Sequence, residues 1–376
     1  MAAYKFKLTL ANAKVPAVQT NYPALIDSRI SSIPNDFWTN ISDAGGLDIR
    51  IWNAVEDTEY SHREVVFINA GTKKLELYFN VPSLPAATDL IIWVYCGGDN
   101  LANSTGTWND KYEMVQHFQN NLLDSTVNGH NGTLQGAAGY NATGPLVGSC
   151  LELSGDAADF ANGFGVMPAK TSVTVAISAY VYQDTNSPSG AVPAVVINDS
   201  TAGPDGEAQY LFGPHSYQNS WLATLYDDVG QIADRIGKLQ SNASLTVYKL
   251  MQGYVCASIH STLWQDGVAV GANHALGNQA TSVHLVGENI TIGRVADGAT
   301  GFDGKIDEVR IIIDLDGIFD PNWAVTDANI MSDPDSCWIG SDGQLINGDD
   351  DEEEAVVSSG GGQRMGQDAL QSYLNS

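Results

Sequence analysis

Between Tyr4 and Leu10 the apolar residues Tyr4, Phe6, Leu8 and Leu10 alternate with Lys5, Lys7 and Thr9. That period of two marks a strand with one buried face. Comparable short runs stand at 47–52, 63–69, 75–81 and 90–95, with turn-forming clusters at 43–46, 69–72 and 96–100. Gly, Asn and Asp in those clusters suit tight reversals. Five strands at this spacing predict a small antiparallel sandwich over residues 1–105. Further apolar runs follow at 112–118, 148–155, 174–181, 290–294 and 302–311, and long stretches with a helical period are scarce. A second β unit over residues 106–320 is the expectation. Within it, 184–261 carries Pro188, Pro193, Pro204 and Pro214 and reads as an inserted, loop-rich stretch. Residues 321–376 form a closing segment, an acidic linker and a C-terminal peptide. Asp349–Asp351 and Glu352–Glu354 repel one another and stay extended. Gly360–Gly362 is a flexible joint. Met365, Ala369, Leu370, Tyr373 and Leu374 then recur at helical spacing, as a docking peptide would.

Charge narrows the class of partner. Seventeen Lys and Arg against 44 Asp and Glu give a formal net charge of −27 across 376 residues. A polyanion of this size repels phosphate backbones and anionic membranes. Nucleic acid is therefore excluded as an expected partner, and the same acidity favours divalent cations. No apolar run is long enough to span a bilayer, and the first residues lack the basic-then-apolar pattern of a secretory signal. Cys96, Cys150, Cys256 and Cys337 have no close pair and match no zinc motif. Each lies in or beside an apolar run, so free buried thiols are expected.

Two ordered sets of motifs carry a family resemblance. Phe37-Trp38-Thr39, residues 46–51, 77–82 and 91–97 resemble an uncharacterised domain family that precedes laminin-G-like domains in bacterial surface and phage proteins. From Trp108 onward the chain is similar to the laminin-G-like/concanavalin superfamily. The pieces come in that superfamily's order: 115–118, 124–134, 148–155, 174–181, Leu263 to Gly267, 290–294 and 302–311. The resemblance implies an all-β protein of two β-sandwich domains, the second a concanavalin-like jelly roll. It also implies a role in a particle or surface architecture: a phage virion structural protein, as fibre, decoration or baseplate component, with lectin-like modules for assembly and glycan attachment. Other virion proteins or further copies of the chain, in an oligomer, would then be its partners, together with surface glycans. The alternative is a bacterial carbohydrate-binding surface protein or the binding part of a polysaccharide-degrading system. Location follows the role: virion, otherwise extracellular or cell surface.

Candidate chemistry lies in three places. The 124–132 loop is rich in the oxygens that Ca²⁺ prefers. The resemblance implies a structural Ca²⁺ held by Asp124, Asn128 and Asn131 with Asp307 from a closing strand; the alternative is a hairpin turn and a surface Asp307–Glu308 pair. Tyr210, Tyr217, Trp221, Tyr226 and Trp264 supply aromatic faces, of which Tyr217, Trp221, Tyr226 and Trp264 are the candidate glycan platform, although such rings in β proteins are more often core. Catalysis is not expected. Adjacent acids on a regular strand point to opposite faces, whereas a glycosidase needs two facing carboxylates. Nucleophile-elbow, zinc-protease, P-loop and dinucleotide patterns are absent from the sequence.

Overall fold

Strand Ala3–Leu10 sits at the centre of the first sheet, and its alternation explains why. Tyr4, Phe6, Leu8 and Leu10 are buried, and the lysines between them lie at the half-exposed face. A computed structural model describes residues 3–165, 174–184, 196–199, 208–215, 220–226, 232–237, 247–256, 262–271, 289–294, 301–314, 322–341 and 343–346. Among these residues the fold is all-β, built from antiparallel sheets with few helices. In the first sheet Ala3–Leu10 pairs with Leu90–Cys96, which pairs with Arg50–Asn53. Its other edge is completed from the far end of the chain. Trp338–Gly340 pairs with Leu8 to Leu10, and Gln344–Ile346 with Ala3 to Lys5.

A second sheet orders Gln19–Asp27, Lys74–Leu84 and Arg63–Asn69. Gln19–Asp27 is an edge strand, which lets it carry Pro23 without losing a ladder hydrogen bond inward. Along Lys74–Leu84, Leu75, Leu77, Phe79 and Val81 pack toward the first sheet, Phe79 reaching Trp338. Glu76, Tyr78 and Asn80 face the other way. All are buried, so this central strand has no solvent face along Leu75 to Val81.

The third sheet lies against that polar face. Its order is Val268–Gly271, Thr262–Gln265, Lys249–Cys256, Thr174–Gln183, Asp303–Asp314, Cys150–Ser154 and Gly139–Asn141, with Tyr112–Gln116 also on Asp303–Asp314. Its central strands are covered on both faces, which explains their near-continuous apolar sequence. Val175, Ile177, Ala179 and Val181 join Ile306, Val309, Ile311 and Ile313 in an aliphatic core with Ile290 and Ile292. Ala176, Tyr180 and Ile312 point the opposite way and merge with the core of the first unit. Helix Asn322–Ser332 closes this seam, burying Trp323, Ala324, Ala328, Ile330 and Met331.

The stretch expected to be loop-rich contributes a sheet instead. Ile232–Gly237, Ser220–Tyr226, Ala208–His215, Val196–Asp199 and Asn289–Thr291 pair in that order. Pro214 is opposite Trp221 near a strand end, where the missing N–H costs little; Pro188, Pro193 and Pro204 fall outside the described residues. The acidic run and the C-terminal peptide also fall outside them. Cys96, Cys150 and Cys337 are free and buried, and burial pushes the Cys96 thiol up to about 12 and that of Cys150 to about 11.

Candidate functional site at the seam between the sandwiches

The site is made by a break in alternation. Between the Ser178–Arg310 and Tyr180–Asp307 pairs, strand Asp303–Asp314 carries one extra residue, and Glu308 adopts a left-handed φ of 50°. A bulge of this kind re-aims the side chains around it. Ile306 and Val309 both enter the aliphatic core, so Asp307 and Glu308 both turn to the seam, on the same side as Arg310. The expectation that these acids point to opposite faces is therefore corrected. So is the surface Asp–Glu reading, because Asp307 is 1% and Glu308 0% exposed. Nearby, Gly304 has φ +146°, and a Cβ there would stand 2.0 Å from the Tyr182 carbonyl oxygen. Only glycine lets the two strands approach so closely.

Arg310 organises the cluster. Its Nη1 donates to Asp327 Oδ1 at 2.7 Å, while Nε and Nη2 donate to Glu308 Oε2 at 3.2 and 3.0 Å. The guanidinium lies 5.1 Å from the ring centroids of both Tyr78 and Trp108, a pair of cation–π contacts that replaces some of the water it has lost. Asp327, from the closing helix, also accepts from Tyr22 Oη at 3.4 Å and Gln252 Nε2 at 3.2 Å. His117 Nδ1 donates to Glu308 Oε1, and its ring stacks on Tyr78 at 5.3 Å. Burial works against a charged His117, yet Glu308 and Glu64 together hold its pKa well above the usual histidine range. Burial likewise opposes the Glu308 anion, and His117 and Arg310 overcome it, bringing its pKa down to about 2. Glu76 and Asp307 go the other way: burial, reinforced by the Glu308 charge, raises both well above ordinary carboxylates.

His117 connects this cluster to the surface. Phe118 and Asn120 both adopt left-handed backbone, φ 53° and 56°. A bulky residue seldom does so; here the Phe118 ring is anchored in the aliphatic core. The turn swings Gln119 and Asn121 into an open cleft of about 260 Å³ lined by Glu64, Asn103, Ser104, Thr105, His117, Gln119, Asn121, Leu123 and Ser125, among others. Glu64 forms its base. Oε1 accepts from Ser125 Oγ at 2.6 Å and Oε2 from Trp108 Nε1 at 2.7 Å. Leu123, 60% exposed, supplies an apolar wall, and Asn121 and Thr105 are exposed at the rim. Each sandwich thus contributes one side.

The residues expected to hold Ca²⁺ are not brought together as a ligand set. Asp124 Oδ1 accepts from the amides of Val115 and Thr126, and Oδ2 from Thr126 Oγ1 and the His130 amide. Asn131 Oδ1 accepts from the Asp124 amide, while Asn128 Nδ2 donates to the carbonyls of Tyr112 and Glu113. Asp307 stands apart from them, accepting from the Glu308 amide beside Gly144. The Asp124 and Asn131 oxygens are taken up in holding the loop itself. Trp264 is corrected too: at 6% exposure it belongs to the seam core and has no free face for a sugar. Tyr217 lies outside the described residues. Trp221 and Tyr226 lie on strand Ser220–Tyr226, their side chains outside the described ones.

Sequence reasoning missed Glu64, Glu76, His117, Arg310 and Asp327. Arg310 could have been noticed, since a charge inside the run Val309 to Ile313 has to find a buried partner. The partner, 17 residues further on in a helix, carries no such signal.

No protein-family model matches the sequence, and no curated protein does. Among solved structures, domain 4 of the arabinanase AbnA from Geobacillus stearothermophilus, in complex with arabinotriose, is 16% identical with a TM-score of 0.38, covering 58% of this chain and 98% of that one. The ligand-binding domain of botulinum neurotoxin serotype D, in complex with N-acetylneuraminic acid, is 12% identical at TM-score 0.41, covering 60% and 52%. The globular domain of Trypanosoma cruzi calreticulin is 9% identical at 0.35, covering 60% and 95%. Similarity at this level leaves ligand and role open.

Proposed function

We propose that this chain is a carbohydrate-binding protein of two fused β-sandwiches that binds glycan in the cleft at their seam. The carrying observation is the cleft itself: an open groove with carboxylate, amide, hydroxyl and imidazole groups on its walls and one exposed apolar side chain, Leu123. Sugars present that mixture in reverse, with hydroxyls around an apolar ring face, and polar groups fixed by a scaffold recognise them at low ordering cost. Binding without turnover is the reading we favour. Glu308 and Asp307 are buried, and Glu308 is committed to Arg310 and His117. A glycan array with the full chain and its Leu123→Glu variant tests this. Binding of a glycan class by the parent and its loss in the variant is expected; binding that survives Leu123→Glu places recognition elsewhere.

We further propose that the chain works as part of a larger surface particle, with a phage virion as the leading case. The motif order supports this, and so does the edge of the first sheet. Strands Trp338–Gly340 and Gln344–Ile346 present Ile339 and Leu345, 63% and 59% exposed, just before the acidic run. Because the helix Asn322–Ser332 and strands Trp338–Gly340 and Gln344–Ile346 complete the first unit, a truncation to test the tail belongs after Ile346. Unchanged incorporation of the truncated chain into particles would refute a docking role for the tail.

A further inference from the structure

Among the described residues the seam gathers five buried acids around three cations. Carboxylates of Asp27, Glu76, Asp307, Glu308 and Asp327 are at most 1% exposed, and Arg29, Arg310 and His117 are the cations that face them. Within this cluster, Glu76, His117 and Glu308 each offer one ligand atom, and those atoms lie within 4.8 Å of one another. Two further observations point to a missing partner. Glu76 Oε1 is buried without a hydrogen-bond donor, its other oxygen taking only Gln119 Nε2 at 3.3 Å. His117 Nε2 is buried without a hydrogen bond as well, Glu64 Oε2 being 3.6 Å away. An unsatisfied polar atom this deep is costly, more so when charged, and native seams seldom leave two in one cluster.

We propose that Glu76, His117 and Glu308 form a binding site for a first-row divalent transition metal, with Zn²⁺ the probe of choice, that ties the two sandwiches together. Glu76 comes from the first unit, His117 and Glu308 from the second. One imidazole and two carboxylates are the donor set such ions take once His117 and Glu76 release their protons to solvent, with a water completing four-coordination. Calcium prefers an all-oxygen shell of six to eight ligands, which this site does not offer. Entry is from the cleft, whose lining includes His117 and Gln119, the residue that covers Glu76. Neighbouring groups orient the ligands: Arg310 holds the far oxygen of Glu308, and Tyr78 fixes the imidazole plane. Such outer contacts are a usual part of metal centres. This site stands independently of the glycan reading.

The test uses the full chain, stripped with chelator and dialysed against Zn²⁺ in excess Ca²⁺ and Mg²⁺, so that the acidic surface is saturated. One tightly held Zn²⁺ per chain by elemental analysis and a raised Tm are expected. Glu76→Gln keeps the shape of the side chain and should fold, while weakening Zn²⁺ binding by about 100-fold or more. Co²⁺ loaded into the parent chain should show the visible absorption of a low-coordinate N/O site. Equal zinc content in parent and Glu76→Gln chains, or displacement of Zn²⁺ by Ca²⁺, would overturn the proposal.

Discussion

Two oxygen-rich regions of this molecule behave in opposite ways. In the 124–132 loop, the one carboxylate accepts four local donors and the neighbouring amides hold the backbone around it. At the seam, acids from both sandwiches and the closing helix meet far from their sequence neighbours, and Glu76 and His117 retain atoms without hydrogen-bond partners. Oxygen density in a sequence therefore says little about ligand availability. What matters is how much of that capacity the fold consumes.

Several substitutions break or sharpen that contrast. The largest effect belongs to Arg310→Met, which leaves Glu308 and Asp327 buried without their shared cation; a loss of about 3–5 kcal/mol is expected, read from the shift of the denaturant midpoint. Asp124→Ala should cost less, roughly 1.5–3 kcal/mol, because it strands neutral amide and hydroxyl donors and no buried charge; a cost equal to that of Arg310→Met would contradict the contrast.

How much of this was legible in the sequence follows from range. Ala3–Leu10 emerged to within one residue and Arg63–Asn69 at its observed limits, because alternation and flanking turns are local. Gln19–Asp27 did not, since Pro23 masks an edge strand, and neither did Trp338–Gly340, whose partner lies more than 300 residues away. At the site, Asp307 and Glu308 were noticed, but the bulge that turns both to one side leaves no trace in composition. Trp264 shows the reverse error, an aromatic chosen for its chemistry that the fold uses as core.

A smaller effect concerns pH. The Glu113 hydrogen bond raises the pKa of His130 above 6.5, burial opposes it, and the Phe164 carbonyl adds to the rise. The unfolded imidazole titrates near 6.5, so the stabilisation is complete below that pH and is lost as pH climbs through the raised folded value. In melting scans the parent Tm should fall more steeply above neutrality than that of His130→Gln; parallel curves would show that the loop does not depend on imidazolium. Smallest of all is Ile311→Val on the aliphatic face of the third sheet, expected to cost about 0.5–1.5 kcal/mol by denaturant titration. A larger loss would mean that this face, too, couples to the seam.

The central claim is that the seam cleft recognises carbohydrate. Its most direct test is calorimetric titration of the best array glycan into the full chain and into the Asn121→Ala and Leu123→Glu variants. The account predicts saturable binding by the parent, weakened about tenfold by Asn121→Ala, a loss near 1.4 kcal/mol, and abolished by Leu123→Glu with Tm unchanged. Identical affinities in all three chains would contradict it.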